Sequence, residues 1–163
     1  MSRLLVTDAN ILIDLALSNS CDLLILIDHQ VVVSIDVFYE LNDGQMAIWQ
    51  PFVKDGRLQL EEADEGLISD LRDQLSASLS DPDLTFFALL QEEGCLALSG
   101  DRKLIKACRE AGHRAHGLLW LLDQHAEDVT NHGMLHSVLS IIMQHNSRLP
   151  TKECGERLTC WKQ

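Results

Sequence analysis

A chain of 163 residues, 46% hydrophobic and 23% charged, is long enough to bury one core without disulfides and too apolar to be disordered throughout. With 25 acidic against 13 basic residues the formal net charge is -12, which excludes a protein that coats nucleic acid by general attraction; a phosphate ligand would need a local basic patch, a basic partner or divalent cations held by clustered carboxylates. The five cysteines include no C-x-x-C pair and read as reduced thiols, and the chain has neither a signal-peptide core at its start nor an apolar run near about 18 residues, so a cytoplasmic protein with no membrane association is expected.

In chain order, "RLLVT" (Arg3 to Thr7) has strand length and an unbroken apolar character. A helix follows from Asn10 to Leu17, with a short one in "CDLLILID". The second buried strand is "VVVSI" (Val31 to Ile35), after which helical periodicity runs from Val37 to about Trp49. "GRLQLEE" (Gly56 to Glu62) alternates like a strand near a sheet edge. Helices are expected at Asp64 to Ser76 and Asp83 to Glu93, then a strand in "CLALS" (Cys95 to Ser99), a helix from Lys103 to Ala111 and a short fifth strand in "HRAHG". Past Gly117 no strand signal returns: helices at Leu118 to about Asp128 and Gly133 to His145 lead through "NSRLP" to a polar closing helix. Strands alternating with helices predict the α/β class, a three-layer sandwich with a central, mainly parallel sheet.

In such a sheet all strands end on one rim, and ligands bind beside those ends. Asp8 directly follows "RLLVT", and Asp101 follows "CLALS" after a single glycine. Glu40 lies early in the helix after "VVVSI", and Asp83 starts a helix that runs back toward the rim before the next strand. Each has an ordinary explanation: Asp101 as a helix N-cap, Asp83 as the partner of Ser80 in a capping box with Pro82 in the first turn, Glu40 as a solvated charge. Asp8, at the end of a buried strand, has no such solvated role. Joint placement on one rim favours a site, and converging carboxylates need compensation that Mg²⁺ or Mn²⁺, with their preference for oxygen ligands, would supply. Beside it, "GDRKLIK" offers Arg102, Lys103 and Lys106 to phosphates, with Arg109 and Arg114 following; a solvated helix face is the equally ordinary reading.

Other chemistries find less support. His132 and His136 have i, i+4 spacing but lack the glutamate of H-E-x-x-H and a third ligand, and His113 and His116 are no stronger. No G-x-S-x-G, Walker or dinucleotide fingerprint is present.

The segments "VTDANILIDL", "SIDVFYELN", "LSDPDLTFFALLQEEG" and "LALSGDRKLIKACREAG" together resemble the PIN-domain family, including the VapC-type toxin ribonucleases of bacterial toxin-antitoxin pairs; the likeness covers roughly Met1 to Gln124, with "GLLWLLDQ" as a further similar segment. The resemblance implies a ribonuclease dependent on Mg²⁺ or Mn²⁺, with an acidic quartet matched by Asp8, Glu40, Asp83 and Asp101. It gives supporting roles to Asn10, which would orient the first aspartate, and to the Ser99 hydroxyl. It also implies a nuclease domain over residues 1–128 with a helical extension over 129–163 packed on or beside it, a homodimer, and a small antitoxin partner that covers the site. Two other readings stand beside it. One is a catalytically silent PIN-like interaction module, which the low basicity suits. The other is an aspartate-nucleophile phosphotransferase of the haloacid-dehalogenase kind, which needs an acid two residues after Asp8, where Asn10 stands.

Overall fold

The computed structural model describes residues 3–75, 77–91 and 94–162. Five strands, β1 (Arg3–Thr7), β2 (His29–Ser34), β3 (Leu58–Glu61), β4 (Leu96–Leu98) and β5 (Arg114–His116), form one all-parallel sheet in the order β3-β2-β1-β4-β5. Helices cover both faces, as a parallel sheet requires. The centre of the sheet explains the unbroken apolar runs. Leu5 and Val6 of β1 pair with Val31 and Val32 of β2 on one side, Val6 and Thr7 pair with Ala97 and Leu98 of β4 on the other, and all of them are buried. At the edge, β3 buries Leu58 and grows more exposed toward Glu61 instead of alternating, and Gln59 accepts a 2.6 Å hydrogen bond from Gln30 of β2. The strand order reverses between β1 and β4, which makes the crevice at their carboxyl ends the natural ligand site.

The first helices are α1 (Ala9–Leu17) and α2 (Asp22–Ile25). After β2 the expected single helix from Val37 to Trp49 is two: α3 (Ile35–Phe38), capped by Ser34, and α4 (Asp43–Lys54), capped by Asn42. Asn42 and Gln45 exchange bonds of 2.8 and 2.9 Å between each side chain and the other's backbone, a capping box that starts a new helix and outweighs the continuous periodicity. Glu40 therefore sits in the turn between two helices instead of on one. Helix α5 (Glu65–Gln74) follows, and α6 (Asp81–Leu89) begins two residues earlier than Asp83; the expected ends at Ser76 and Glu93 fall outside the described residues. The remaining helices are α7 (Arg102–Glu110), α8 (Leu118–Ala126), α9 (His132–His145) and α10 (Thr151–Cys160).

Leu135, Val138, Leu139 and Ile142 of α9, Cys154 of α10 and Trp161 are buried in the same apolar cluster as the sheet. The Arg157 guanidinium of α10 makes a two-pronged bond to Asp123 of α8 at 2.8 and 2.6 Å, so the closing helix is both packed and ionically stapled. Cys21, Cys95, Cys108 and Cys154 are buried and Cys160 is exposed, all as free thiols. No helix among the described residues is long and apolar enough to cross a membrane.

Candidate active site

Asp8 is where β1 stops. Its N–H donates to Leu98 O at 3.1 Å, the last rung toward β4, and its side chain turns back to cap α1, with Oδ1 accepting from Ile11 N at 3.0 Å. Oδ2 accepts from Ser99 Oγ at 2.5 Å and from Gly100 N at 3.1 Å. The side chain is buried, and burial pushes its carboxyl up to about 6 although Ser99, Ile11, Gly100 and Asn10 all donate to the charged form.

Ser99 is the bridge. Its N–H donates to His116 O of β5 at 3.0 Å, fixing it between two strands, and its Oγ accepts from Asp101 N at 3.0 Å. With a donor already at that oxygen, the single hydroxyl proton is free to point at Asp8. Gly100 then lies so close to α1 that a Cβ would stand 2.8 Å from the Cβ of Asn10, so the turn out of β4 requires a residue without a side chain. Asp101 caps α7 through Oδ1 and Lys103 N at 2.9 Å. The N-cap reading and the rim placement are therefore both true of Asp101.

The other two acids come from the opposite side. Asp83 is reciprocally bonded to Ser80, with Oδ2 accepting from Ser80 N at 3.1 Å and its own N–H donating to Ser80 Oγ at 3.2 Å. The buried hydroxyls of Ser34 and Thr85 meet at 2.7 Å; because Thr85 donates to Pro82 O at 2.6 Å, Ser34 is the donor between them, and this bond ties the start of α3 to α6. Glu40 is held near Asp83 in this way. Partial burial first, and then the Asp83 charge, raise its carboxyl above the ordinary range, while its side chain stays open to solvent. The buried Cys108 thiol is pushed up to about 12, by burial and then by the charges of Asp8 and Asp83, so the fields of both sides reach the same point.

The quartet thus falls into two pairs. Asp8 and Asp101 are linked by Ser99, Glu40 and Asp83 are coupled by charge, and no three His, Cys, Asp or Glu side chains among the described residues stand as a ready ligand cluster. A hard divalent cation still fits the donor chemistry. The groups are carboxylates, burial makes the anion of Asp8 costly, and Mg²⁺ typically takes one or two protein carboxylates and keeps its waters.

The cationic candidates separate. Arg102 and Lys103 line a cleft of about 690 Å³ beside Asp101, whereas Lys106 stands 3.9 Å from Glu110 and Arg109 donates to Ala115 O at 2.7 Å. The facing wall of the cleft is formed by Ser147, Arg148 and Leu149 from the loop between α9 and α10. This loop is the "NSRLP" segment, whose sequence alone carries no recognisable chemistry. His132 bonds Ala126 O at 2.9 Å and His116 stacks on Trp120 with ring centres 4.9 Å apart, both structural uses.

A comparison with curated proteins yields no significant match. A family model described as a PIN domain matches residues 4–163, from the first strand through the closing helix. That span includes the sheet, the rim carboxylates and the tail packed against them, and on this match the chain belongs to the PIN-domain family, whose fold is of the nuclease type.

Proposed function

We propose that this protein is a ribonuclease that hydrolyses phosphodiester bonds with the help of Mg²⁺ or Mn²⁺, and that it serves as the toxin of a toxin-antitoxin pair. The observation that carries the reading is Asp8: a buried carboxylate at the strand-order reversal, held by Ser99 and Gly100 and raised to about 6, is destabilised as a bare anion and suited to a cation. A bound divalent ion would polarise a phosphoryl oxygen and make a coordinated water acidic.

The protein's own groups supply the rest. Asp8 and Asp101 are the core ligands, with Asp8 Oδ2 saturated by its two donors and Oδ1 left with spare acceptor capacity. Asp83 and Glu40 complete the shell directly or through water. Glu40, with its raised carboxyl and solvent access, is the group suited to take a proton from the attacking water. Ser99 and Asn10 hold Asp8 in orientation. Arg102 and Lys103 meet flanking phosphates. A homodimer and a small antitoxin partner that occludes the acidic rim complete the proposal.

The test is a nuclease assay on mixed RNAs with Mg²⁺ or Mn²⁺, comparing the wild type with Asp8→Asn and Asp101→Asn. Metal-dependent products with 5′-phosphate and 3′-hydroxyl ends are expected, absent in both variants. A 2′,3′-cyclic phosphate would indicate attack by the ribose 2′-hydroxyl and refute the route. The absence of any metal-dependent cutting would favour a silent interaction module, a reading that the net charge of -12 and the capping duties of Asp83 and Asp101 suit.

A further inference from the structure

The cleft of about 690 Å³ beside Asp101 has a wall made by the tail, and that wall carries a cation. In a chain of net charge -12, three basic side chains, Arg102, Lys103 and Arg148, line this one cleft, with Asp101 the single acid among its lining residues. Among the described residues none of the three is in an ion pair, whereas Arg57, Arg72 and Arg157 are all spent on aspartates. All three are exposed.

Arg148 is held in place by its loop. Asn146 closes α9 and accepts from Arg148 N at 3.0 Å through Oδ1, while its Nδ2 donates to Asp14 Oδ2 at 2.9 Å. Asp14 is buried on α1, one turn after Asn10, so the two share a helix face. Asn10 abuts Gly100 at the mouth of the acidic rim. One face of α1 thereby sets both walls of the cleft, Gly100 through Asn10 and Arg148 through Asp14 and Asn146. Past the loop, the Arg157 to Asp123 pair secures α10.

We infer that Arg148 is a substrate-binding residue that, facing Arg102 and Lys103, grips a phosphate of single-stranded RNA as it passes Asp101, with Asn146 as its positioning residue. This rests on the ribonuclease reading and adds to it the path of the strand. The occupant is the sugar-phosphate backbone and not a base, because no aromatic side chain lines the cleft among the described residues, and free guanidinium and ammonium groups match phosphate. The contact is accordingly indifferent to base sequence.

The test is fluorescence anisotropy with a labelled single-stranded oligoribonucleotide of mixed sequence and the full chain in EDTA, across a salt series, alongside steady-state hydrolysis in Mg²⁺. Arg148→Ala should weaken binding roughly tenfold for every sequence tried and lower the salt slope by about 0.7, as expected for one phosphate contact to a single strand. It should raise KM with kcat retained, and Arg148→Lys should recover part of the loss. Asn146→Ala should produce a smaller loss and add nothing on top of Arg148→Ala, a non-additivity that general destabilisation would not give. Lys54→Ala, far along the chain on α4, is the control. The inference is overturned if Arg148→Ala binds like the wild type, if the loss depends on one base sequence, or if the wild type binds polyglutamate in place of RNA. Hydrolysis by the wild type with an unchanged KM in Arg148→Ala sinks this inference alone. Binding through Arg148 with no metal-dependent cutting in any condition supports the phosphate contact to RNA but overturns its role toward a substrate, together with the nuclease reading.

Discussion

The two halves of the acidic rim are built differently. Asp8 and Asp101 are welded into one hydrogen-bonded unit through Ser99, with Asp8 buried and both its oxygens engaged; Glu40 and Asp83 share only a repulsion, and Glu40 sits in a solvent-facing turn. Burying an anion costs free energy that donors only partly offset, so Asp8 has more to gain from a balancing cation than a carboxylate at an open turn, which can adjust to whatever arrives. The rigid pair should set where a cation sits, and the open pair should set how it is used.

The strongest way to break that contrast is Asp8→Asn against Glu40→Gln. Cation at about 100 times its dissociation constant should stabilise the wild type by roughly 2.7 kcal/mol in thermal melts. Asp8→Asn should lose that gain and more than the roughly 100-fold in activity that outer partners of a metal site command. Asparagine caps helices as well as aspartate does, so α1 should still form. Glu40→Gln should keep the metal gain and lose turnover. Equal losses of metal stabilisation in the two variants would erase the distinction between the pairs.

Ser99→Ala sharpens the same point from the support side. It removes the donor to Asp8 and the acceptor of Asp101 N, and a loss of roughly 10–100-fold in metal affinity is expected by titration calorimetry. An unchanged affinity would make the bridge merely structural.

The buried acids also predict a pH dependence. Asp8 and Asp14 both have folded-state values raised to about 6 by burial, above the unfolded range near 4. A raised carboxyl favours folding when protonated, so this contribution is complete below about pH 4 and is lost as pH rises through about 6. Denaturant unfolding in EDTA should show each acid contributing up to about 3 kcal/mol of declining stability across that window. Asp14→Asn should remove its share, and Mg²⁺ should cancel that of Asp8 by favouring its anion. Stability rising from pH 4 to 6 through these groups would contradict the burial argument.

The smallest expected effect tests the close approach behind the rigid pair. Gly100→Ala places a methyl 2.8 Å from Asn10 Cβ and should cost about 1–3 kcal/mol, with a weaker metal gain as Ser99 is displaced from Asp8. Full retention of both would show that the turn has room to yield.

Much of this was legible in the residues. "RLLVTDAN" and "LALSGD" reveal a buried strand ending in an acid because apolar content, strand length and the breaking glycine are local properties. The capping box at Asn42 and Gln45 was equally local, yet helical periodicity across it hid the break and misplaced Glu40 on a helix. Strand order could not be read, since it depends on which buried faces pair across long loops, and neither could the position of the "NSRLP" loop.

From its order of residues alone the chain determined a parallel α/β sheet, its strand ends and the acids that leave them, because hydrophobic periodicity and capping act over a few residues. Only the tertiary structure decided that Ser99 would join Asp8 to Asp101, that Glu40 and Asp83 would stay apart from them in bonding, and that Asn146 would reach Asp14 and bring Arg148 across the cleft. Those contacts join segments dozens of residues apart, and close packing against one shared core, with every buried polar group seeking a partner, selects them.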